Sequence, residues 1–85
     1  MIHPQKDMFN NDAHQAIRNL FIEKRKKLGL SQQELAIQMN FKLSYINEIE
    51  STSGNIDFLD MQSFCDALDI SLTKLEAIFK PNSLF

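Results

Sequence analysis

The sequence predicts an all-α domain of five short helices, a fold class that three observations indicate. Apolar residues recur at spacings of three and four along most of the chain, which is the period of an amphipathic helix. Only two Gly and two Pro interrupt the 85 residues, and apolar–polar alternation nowhere persists long enough to predict a strand. The length and the 44% hydrophobic content suffice for one compact core. We therefore expect a single domain over residues 12–80, with a flexible N-terminal arm at 1–11 and a C-terminal tail at 81–85.

Helix 1 is predicted to begin at Asp12, a favourable N-cap residue, and to run to about Leu28. Gly29 follows, and glycine readily adopts the left-handed conformation that ends a helix. The apolar face of this helix comprises Ile17, Leu20, Phe21 and Leu28. Arg25 lies on the same face, and it needs a partner because an unpaired buried charge is strongly destabilising.

Helix 2 opens with a capping box, in which Ser31 and Glu34 each satisfy a backbone N–H of the other. The helix is short and is predicted to end near Met39. Ala36 is small enough for another helix to cross closely. Asn40 then lies where a left-handed residue would turn the chain, a conformation that asparagine tolerates better than most residues.

Helix 3 is predicted over residues 42–50, with Ile46 and Ile49 facing inward. Two short helices joined by a turn of about three residues form a helix-turn-helix pattern. The sequence therefore predicts this motif over helices 2 and 3.

Helices 4 and 5 are predicted to begin at Asp57 and Ser71, after a loop over residues 51–55, and Pro81 ends the last helix. Their apolar residues at helical spacing are Phe58, Met61, Phe64, Cys65, Leu68, Leu72, Leu75, Ile78 and Phe79. Four phenylalanines are assigned to the core, namely Phe21, Phe58, Phe64 and Phe79.

The net charge of −2 conceals an uneven distribution. Residues 1–42 carry seven basic and four acidic side chains, whereas residues 43–85 carry two basic and seven acidic ones. One Cys excludes an internal disulfide framework and a cysteine-based zinc site, and we expect no metal or cofactor. No apolar run approaches a membrane span and no polar pair has catalytic spacing, so we expect a cytoplasmic protein that is not an enzyme.

The stretch from Ile17 to Phe79 contains EKRKKLGLSQQELAIQMNFKLSYINEIE followed by NIDFLDMQSFCDALDISLTKLEAIF. This stretch resembles the phage repressor/Cro-type (XRE-like) helix-turn-helix family. The resemblance implies a compact lambda-repressor-like fold and a transcriptional regulator, such as a repressor, that binds a double-stranded DNA operator. It also implies that Arg25 pairs with Glu50, the glutamate that closes helix 3.

The resemblance further implies that helix 3 lies in the major groove, where its exposed residues read base edges. Lys42 can donate to guanine or to phosphate, Asn47 can pair with adenine, and Glu48 can accept from cytosine. Leu43 can contact a thymine methyl group, and Ser44 can bond to a base or a phosphate. These five residues are the predicted base-reading set.

Phosphate contacts are expected at the start of helix 2, where Gln32 and Gln33 flank exposed N–H groups and a positive helix dipole. By family position Gln32 is the stronger candidate. Further candidates are Tyr45, Ser51, Ser53 and Asn55. Tyr45 is equally consistent with a packing role.

An apolar surplus at the C-terminal end, formed by Phe79, Leu84 and Phe85, predicts a homodimer through helix 5 and the tail. Three alternatives stay open on the same fold. The string YINEIE…GNI resembles restriction–modification controller proteins, and an antitoxin is comparably plausible. The acidic second half and the cation-poor helix 3 would also suit a module that binds a protein partner instead of DNA.

Overall fold

The computed structural model describes residues 4–51 and 56–79, with the side chains of residues 13–51 and 56–78. Five helices follow one another in this part of the chain: α1 (Pro4–Lys27), α2 (Gln32–Met39), α3 (Leu43–Ser51), α4 (Phe58–Leu68) and α5 (Leu72–Phe79). No strand occurs among the described residues. The predicted all-α class with five helices is therefore confirmed.

The start of α1 differs from the prediction, because the helix begins at Pro4 and not at Asp12. Proline is well suited to the first helical position, where its missing N–H leaves no hydrogen bond unmade. No Gly or Pro occurs between Pro4 and Gly29, so the sequence contains no residue that would stop the helix. Residues 4–11 of the predicted arm are thus helical.

The helix ends follow local sequence closely. Gly29 has a φ of 75°, which confirms its predicted left-handed conformation after α1. Asp57 occupies the N-cap position of α4 as predicted, although its side chain makes no capping hydrogen bond. At the start of α5, the Ser71 hydroxyl accepts a hydrogen bond from the Lys74 N–H at 3.4 Å.

The core lies between α1 and the four shorter helices. Phe21 of α1 stacks on Phe64 of α4 with ring centroids 4.8 Å apart, and Phe41 meets Phe64 edge-on at 6.4 Å. The buried apolar residues are Ile17, Phe21, Leu35, Ala36, Ile46, Ile49, Ile56, Met61, Phe64, Cys65, Leu68 and Leu75. Burial of this set provides most of the driving force for folding.

Two residues assigned to the interior from their spacing lie at the surface. Leu28 is 48% exposed and Phe58 is 59% exposed. Both lie at a helix terminus, Leu28 just after α1 and Phe58 as the first residue of α4. The side chain of Phe79 lies outside the described residues.

Candidate nucleic-acid interface

Local hydrogen bonds fix the start of α2 and the turn between α2 and α3. The Ser31 Oγ accepts from the Glu34 N–H at 3.0 Å, and the Glu34 carboxylate accepts from the Ser31 N–H at 2.8 Å, which confirms the capping box. Asn40 is left-handed with φ 60° and ψ 42°. The Phe41 N–H then donates to the Ala36 carbonyl at 2.9 Å, so the chain reverses within three residues.

Packing between α2 and α3 determines which face of α3 stays exposed. Leu35 and Ala36 of α2 are buried, as are Ile46 and Ile49 of α3. The Lys42 carbonyl accepts the first hydrogen bonds of α3, from Tyr45 and Ile46, so Lys42 occupies the N-cap position and not the first helical residue. The helix α3 therefore packs its apolar stripe against α2 and exposes the opposite side to solvent.

All five predicted base-reading residues lie on the exposed side of α3 or immediately before it. They are Lys42, Leu43, Ser44, Asn47 and Glu48. One cation, one anion, an amide, a hydroxyl and an apolar side chain thus share a single exposed surface. These groups supply both donors and acceptors for base edges.

The structure brings Arg25 and Glu50 together in a bidentate ion pair between the end of α1 and the end of α3. The Arg25 Nε lies 2.7 Å from one carboxylate oxygen, and its Nη2 lies 3.0 Å from the other. The remaining Nη1 donates to the Leu30 carbonyl at 2.8 Å. The two side chains are only 10% and 7% exposed, so the charges compensate each other in the interior.

The two glutamines at the start of α2 have different environments. Gln33 is exposed, whereas Gln32 is half-buried and its amide donates to Glu50 Oε1 at 2.7 Å. A glutamine amide carries two hydrogens, so one donor of Gln32 is used within the protein and one is left for a ligand. Both side chains flank the positive end of the helix.

Tyr45 is linked to α4, because its hydroxyl donates a hydrogen bond to the Asp60 carboxylate. That bond, with partial burial and the charges of Asp60, Asp57 and Glu48, raises the pKa of Tyr45 to about 12. The phenol ring also contacts Phe41, with centroids 5.5 Å apart. The ring of Tyr45 thus has a packing contact, and its hydroxyl has a partner within the protein; the expected phosphate contact stays a prediction.

The remaining candidate residues are only partly described. Ser51 is exposed, and its hydroxyl donates to the Asn47 carbonyl at 2.8 Å. Ser53 and Asn55 lie outside the described residues, as do Leu84, Phe85 and the Phe79 side chain. The phosphate contacts of the loop and the dimer interface therefore stay predictions.

Sequence reasoning missed a second buried arginine. Arg18 is 1% exposed, and its Nε donates to the Ile49 carbonyl of α3 at 2.7 Å, while its Nη1 donates to the Gln15 side chain at 3.0 Å. Burial lowers the pKa of Arg18. Arg18 precedes Arg25 by two helical turns on α1. This spacing is the signal in the sequence that could have placed Arg18 on the same face as Arg25.

His14 lies one turn before Arg18 on α1 and anchors the start of the α4 region. Its Nδ1 accepts a hydrogen bond from the Ile56 N–H at 3.0 Å. Burial and the positive charge of Arg18 lower the pKa of His14. The ring is therefore held in the neutral form, which is the form that can accept this bond.

The part of the chain that the structure describes contains neither a metal-binding cluster nor a membrane-spanning helix. No group of three or more His, Cys, Asp or Glu side chains there is arranged to hold a metal ion. None of the helices there combines the length and apolar character needed to cross a membrane.

Comparison with known proteins agrees with this geometry. The family model described as helix-turn-helix matches residues 21–75, which is more than half of the chain and includes the α2–turn–α3 unit. No curated protein and no solved structure is significantly similar to the chain.

Proposed function

The chain belongs to the helix-turn-helix family of DNA-binding transcription regulators, and on that premise we propose that it is a sequence-specific regulator that reads the major groove with α3. The observation that carries the proposal is the exposed side of α3, where Lys42, Asn47 and Glu48 stand opposite the buried Ile46 and Ile49. The first residues of a recognition helix reach base edges when the helix enters the groove. Such a regulator acts in the cytoplasm and needs no cofactor.

Phosphate contacts would be made mainly by the N-terminus of α2. Gln32 and Gln33 offer amide donors beside the free N–H groups of the first helical turn, where the helix dipole favours an anion. Ser51 at the end of α3, and Ser53 and Asn55 after it in the chain, would add contacts. These contacts orient the protein on the duplex without reading its sequence.

We further propose that the regulator is a homodimer that uses α5 and the C-terminal tail, with Phe79, Leu84 and Phe85 in the interface. Leu72 of α5 is 41% exposed, which adds apolar surface on that helix. A two-fold protein matches a two-fold operator, so dimerisation doubles the number of base contacts. Sedimentation showing only monomer well above micromolar concentration would contradict this part of the proposal.

The direct test is fluorescence anisotropy with DNA from upstream of the gene for this protein, measured over a range of salt concentrations. Binding should weaken as salt rises, because neutralised phosphates release counterions. Lys42→Ala and Asn47→Ala should each reduce affinity for the best site by about 1–3 kcal/mol. Asn47→Ala should leave the salt dependence unchanged, whereas Lys42→Ala should alter it if that lysine contacts phosphate.

A second candidate function is a module on the same fold that binds a protein partner, as in an antitoxin. The acidic residues Glu48, Asp57 and Asp60 surround Tyr45 beside α3, and the adjacent Leu59 is 67% exposed. Such a surface suits a basic, partly apolar partner. Salt-sensitive DNA affinity favours the regulator, and a toxin encoded by the neighbouring gene would favour the antitoxin.

A restriction–modification controller is a narrower form of the regulator proposal. Restriction and modification genes beside the gene for this protein would support it.

A further inference from the structure

Three helices meet at a single carboxylate group in this protein. Glu50, at the end of α3, accepts from the Arg25 guanidinium of α1 at 2.7 and 3.0 Å and from the Gln32 amide of α2 at 2.7 Å. One oxygen, Oε1, accepts from both Arg25 and Gln32. The carboxylate therefore joins the end of the recognition helix to the first residue of the helix proposed to bind phosphate.

We propose that Glu50 is a positioning residue for DNA binding, which holds the Gln32 amide so that the phosphate contact of α2 is fixed relative to the reading surface of α3. The inference rests on the proposed function. A free glutamine side chain has several rotatable bonds that must be ordered when it binds a ligand. Gln32 is already ordered by Glu50, and its second amide hydrogen is available to a phosphate oxygen.

Arg25 makes this arrangement compatible with a nearby phosphate. A carboxylate by itself would repel the DNA backbone, but the bidentate guanidinium compensates its charge at hydrogen-bond distance. The cluster of Arg25, Glu50 and Gln32 is therefore electrically neutral as a whole. Its contribution to DNA affinity should be a hydrogen bond and not a charge contact, so it should be insensitive to salt.

The first measurement compares two glutamines of the same helix. Gln32→Ala should weaken binding to a short random-sequence DNA duplex about three- to tenfold, the effect of one lost hydrogen bond. The salt slope should stay unchanged, because a neutral amide displaces no counterion. Gln38→Ala is the matched control, since Gln38 also lies on α2 and donates to the Ala67 carbonyl of α4 at 3.1 Å. Its DNA affinity should equal that of the wild type.

The second measurement removes the anchor of Gln32 while keeping the fold. The double variant Arg25→Met/Glu50→Leu replaces a buried ion pair by apolar side chains of similar volume, which proteins commonly tolerate. It should bind the same duplex as weakly as Gln32→Ala, with an unchanged salt slope. Adding Gln32→Ala to the double variant should then cause no further loss.

The conservative variant Glu50→Gln provides a separate test that does not depend on the double variant folding. Its amide oxygen can still accept from Gln32, so at high salt, where the uncompensated charge of Arg25 is screened, its DNA affinity should stay within about twofold of the wild type, although its thermal stability falls. The proposal would be overturned if Gln32→Ala reduced DNA affinity by the same factor in the wild type and in the Arg25→Met/Glu50→Leu double variant. A salt slope that changes in the double variant would also overturn it, since Arg25 would then contact phosphate directly. Wild-type protein without any salt-sensitive DNA binding would instead overturn the proposed function itself.

Discussion

Two interior arginines of α1 connect this helix to the end of α3. Arg25 faces the Glu50 carboxylate, so its charge is compensated by an opposite charge. Arg18 donates to the Ile49 carbonyl at 2.7 Å and to the Gln15 side chain at 3.0 Å. Each arginine contacts one of the last residues of α3. Loss of either would leave buried polar groups of α3 without their present partners.

The ion pair gives a prediction for stability. Arg25→Met should lower the free energy of unfolding by about 3–5 kcal/mol, because it leaves the Glu50 carboxylate buried without its cation. Urea unfolding followed by circular dichroism measures this change. Lys26→Met is the matched control, since Lys26 is exposed on the same helical turn and its removal should have little effect. Equal stability of Arg25→Met and the wild type would contradict the structural role of the pair.

Tyr45 gives a spectroscopic prediction at a single residue. The chain contains one Tyr and no Trp, so the near-ultraviolet phenolate absorbance reports Tyr45 alone. A titration should show a pKa of about 12 in the folded protein, because the hydrogen bond to Asp60 and the nearby acidic charges favour the neutral phenol. The stability that the raised pKa provides should be present below pH 10 and be lost as pH rises towards 12.

Asp60→Asn tests the cause of this shift. Removing the carboxylate should bring the pKa of Tyr45 back towards its ordinary value near 10. Asp66→Asn, on the exposed surface of the same helix, is the matched control and should leave the titration as in the wild type. An unshifted Tyr45 in the wild-type protein would rule out the link between α3 and α4.

At the scale of elements, the parts that the sequence predicted are those fixed by neighbouring residues. The capping box at Ser31 and the left-handed turn at Asn40 need only local hydrogen bonds and backbone preferences, and both were predictable. The buried face of α3 followed from the spacing of Ile46 and Ile49 for the same reason. The α2–turn–α3 unit could therefore be predicted from the sequence alone.

Elements that depend on distant contacts could not be predicted in this way. Buried Arg18 contacts the end of α3 through the Ile49 carbonyl, and no local pattern contains that contact. Phe58 fits the apolar spacing of α4, yet it is 59% exposed, since spacing along one helix does not show which side another helix covers. The donation of Gln32 to Glu50 likewise joins residues 18 positions apart. Tertiary packing, and not helix propensity, decides these cases.

The anchoring of α4 by His14 leads to a prediction on pH. His14 must be neutral to accept the Ile56 N–H, and its pKa lies below its ordinary value of 6.5. The unfolded chain therefore binds a proton at His14 more readily than the folded protein does. Stability from this residue should be complete above pH 6.5 and be lost as pH falls from there towards the lowered pKa.

Thermal melts at several pH values should show this loss in the wild type. His14→Asn is the comparison, because an asparagine oxygen can replace Nδ1 as acceptor without titrating near neutral pH. Its melting temperature should decline less between pH 7 and pH 5 than that of the wild type. Parallel declines in the two proteins would show that His14 does not contribute to the acid sensitivity.

For the molecule as a whole, the position of each charge matters more than the net charge of −2. The cations Lys24, Lys26 and Lys27 cluster at the end of α1. Most acidic residues of the second half lie on or next to α4 and α5, while Glu48 lies on the exposed side of α3. In the proposed regulator this distribution would provide little general electrostatic attraction, so the proposed base contacts and dimerisation would have to supply more of the DNA affinity.

Neutralising one carboxylate at two different places tests this conclusion. Glu48→Gln and Glu76→Gln both change the net charge from −2 to −1, but Glu48 lies on α3 and Glu76 on α5. Glu48→Gln should raise affinity for a random-sequence duplex about two- to fivefold at low salt, because it removes a repulsive charge from the contact surface. The gain should disappear at high salt, where such repulsion is screened. Glu76→Gln should have a much smaller effect, and equal gains from the two variants would mean that net charge and not its placement limits DNA binding.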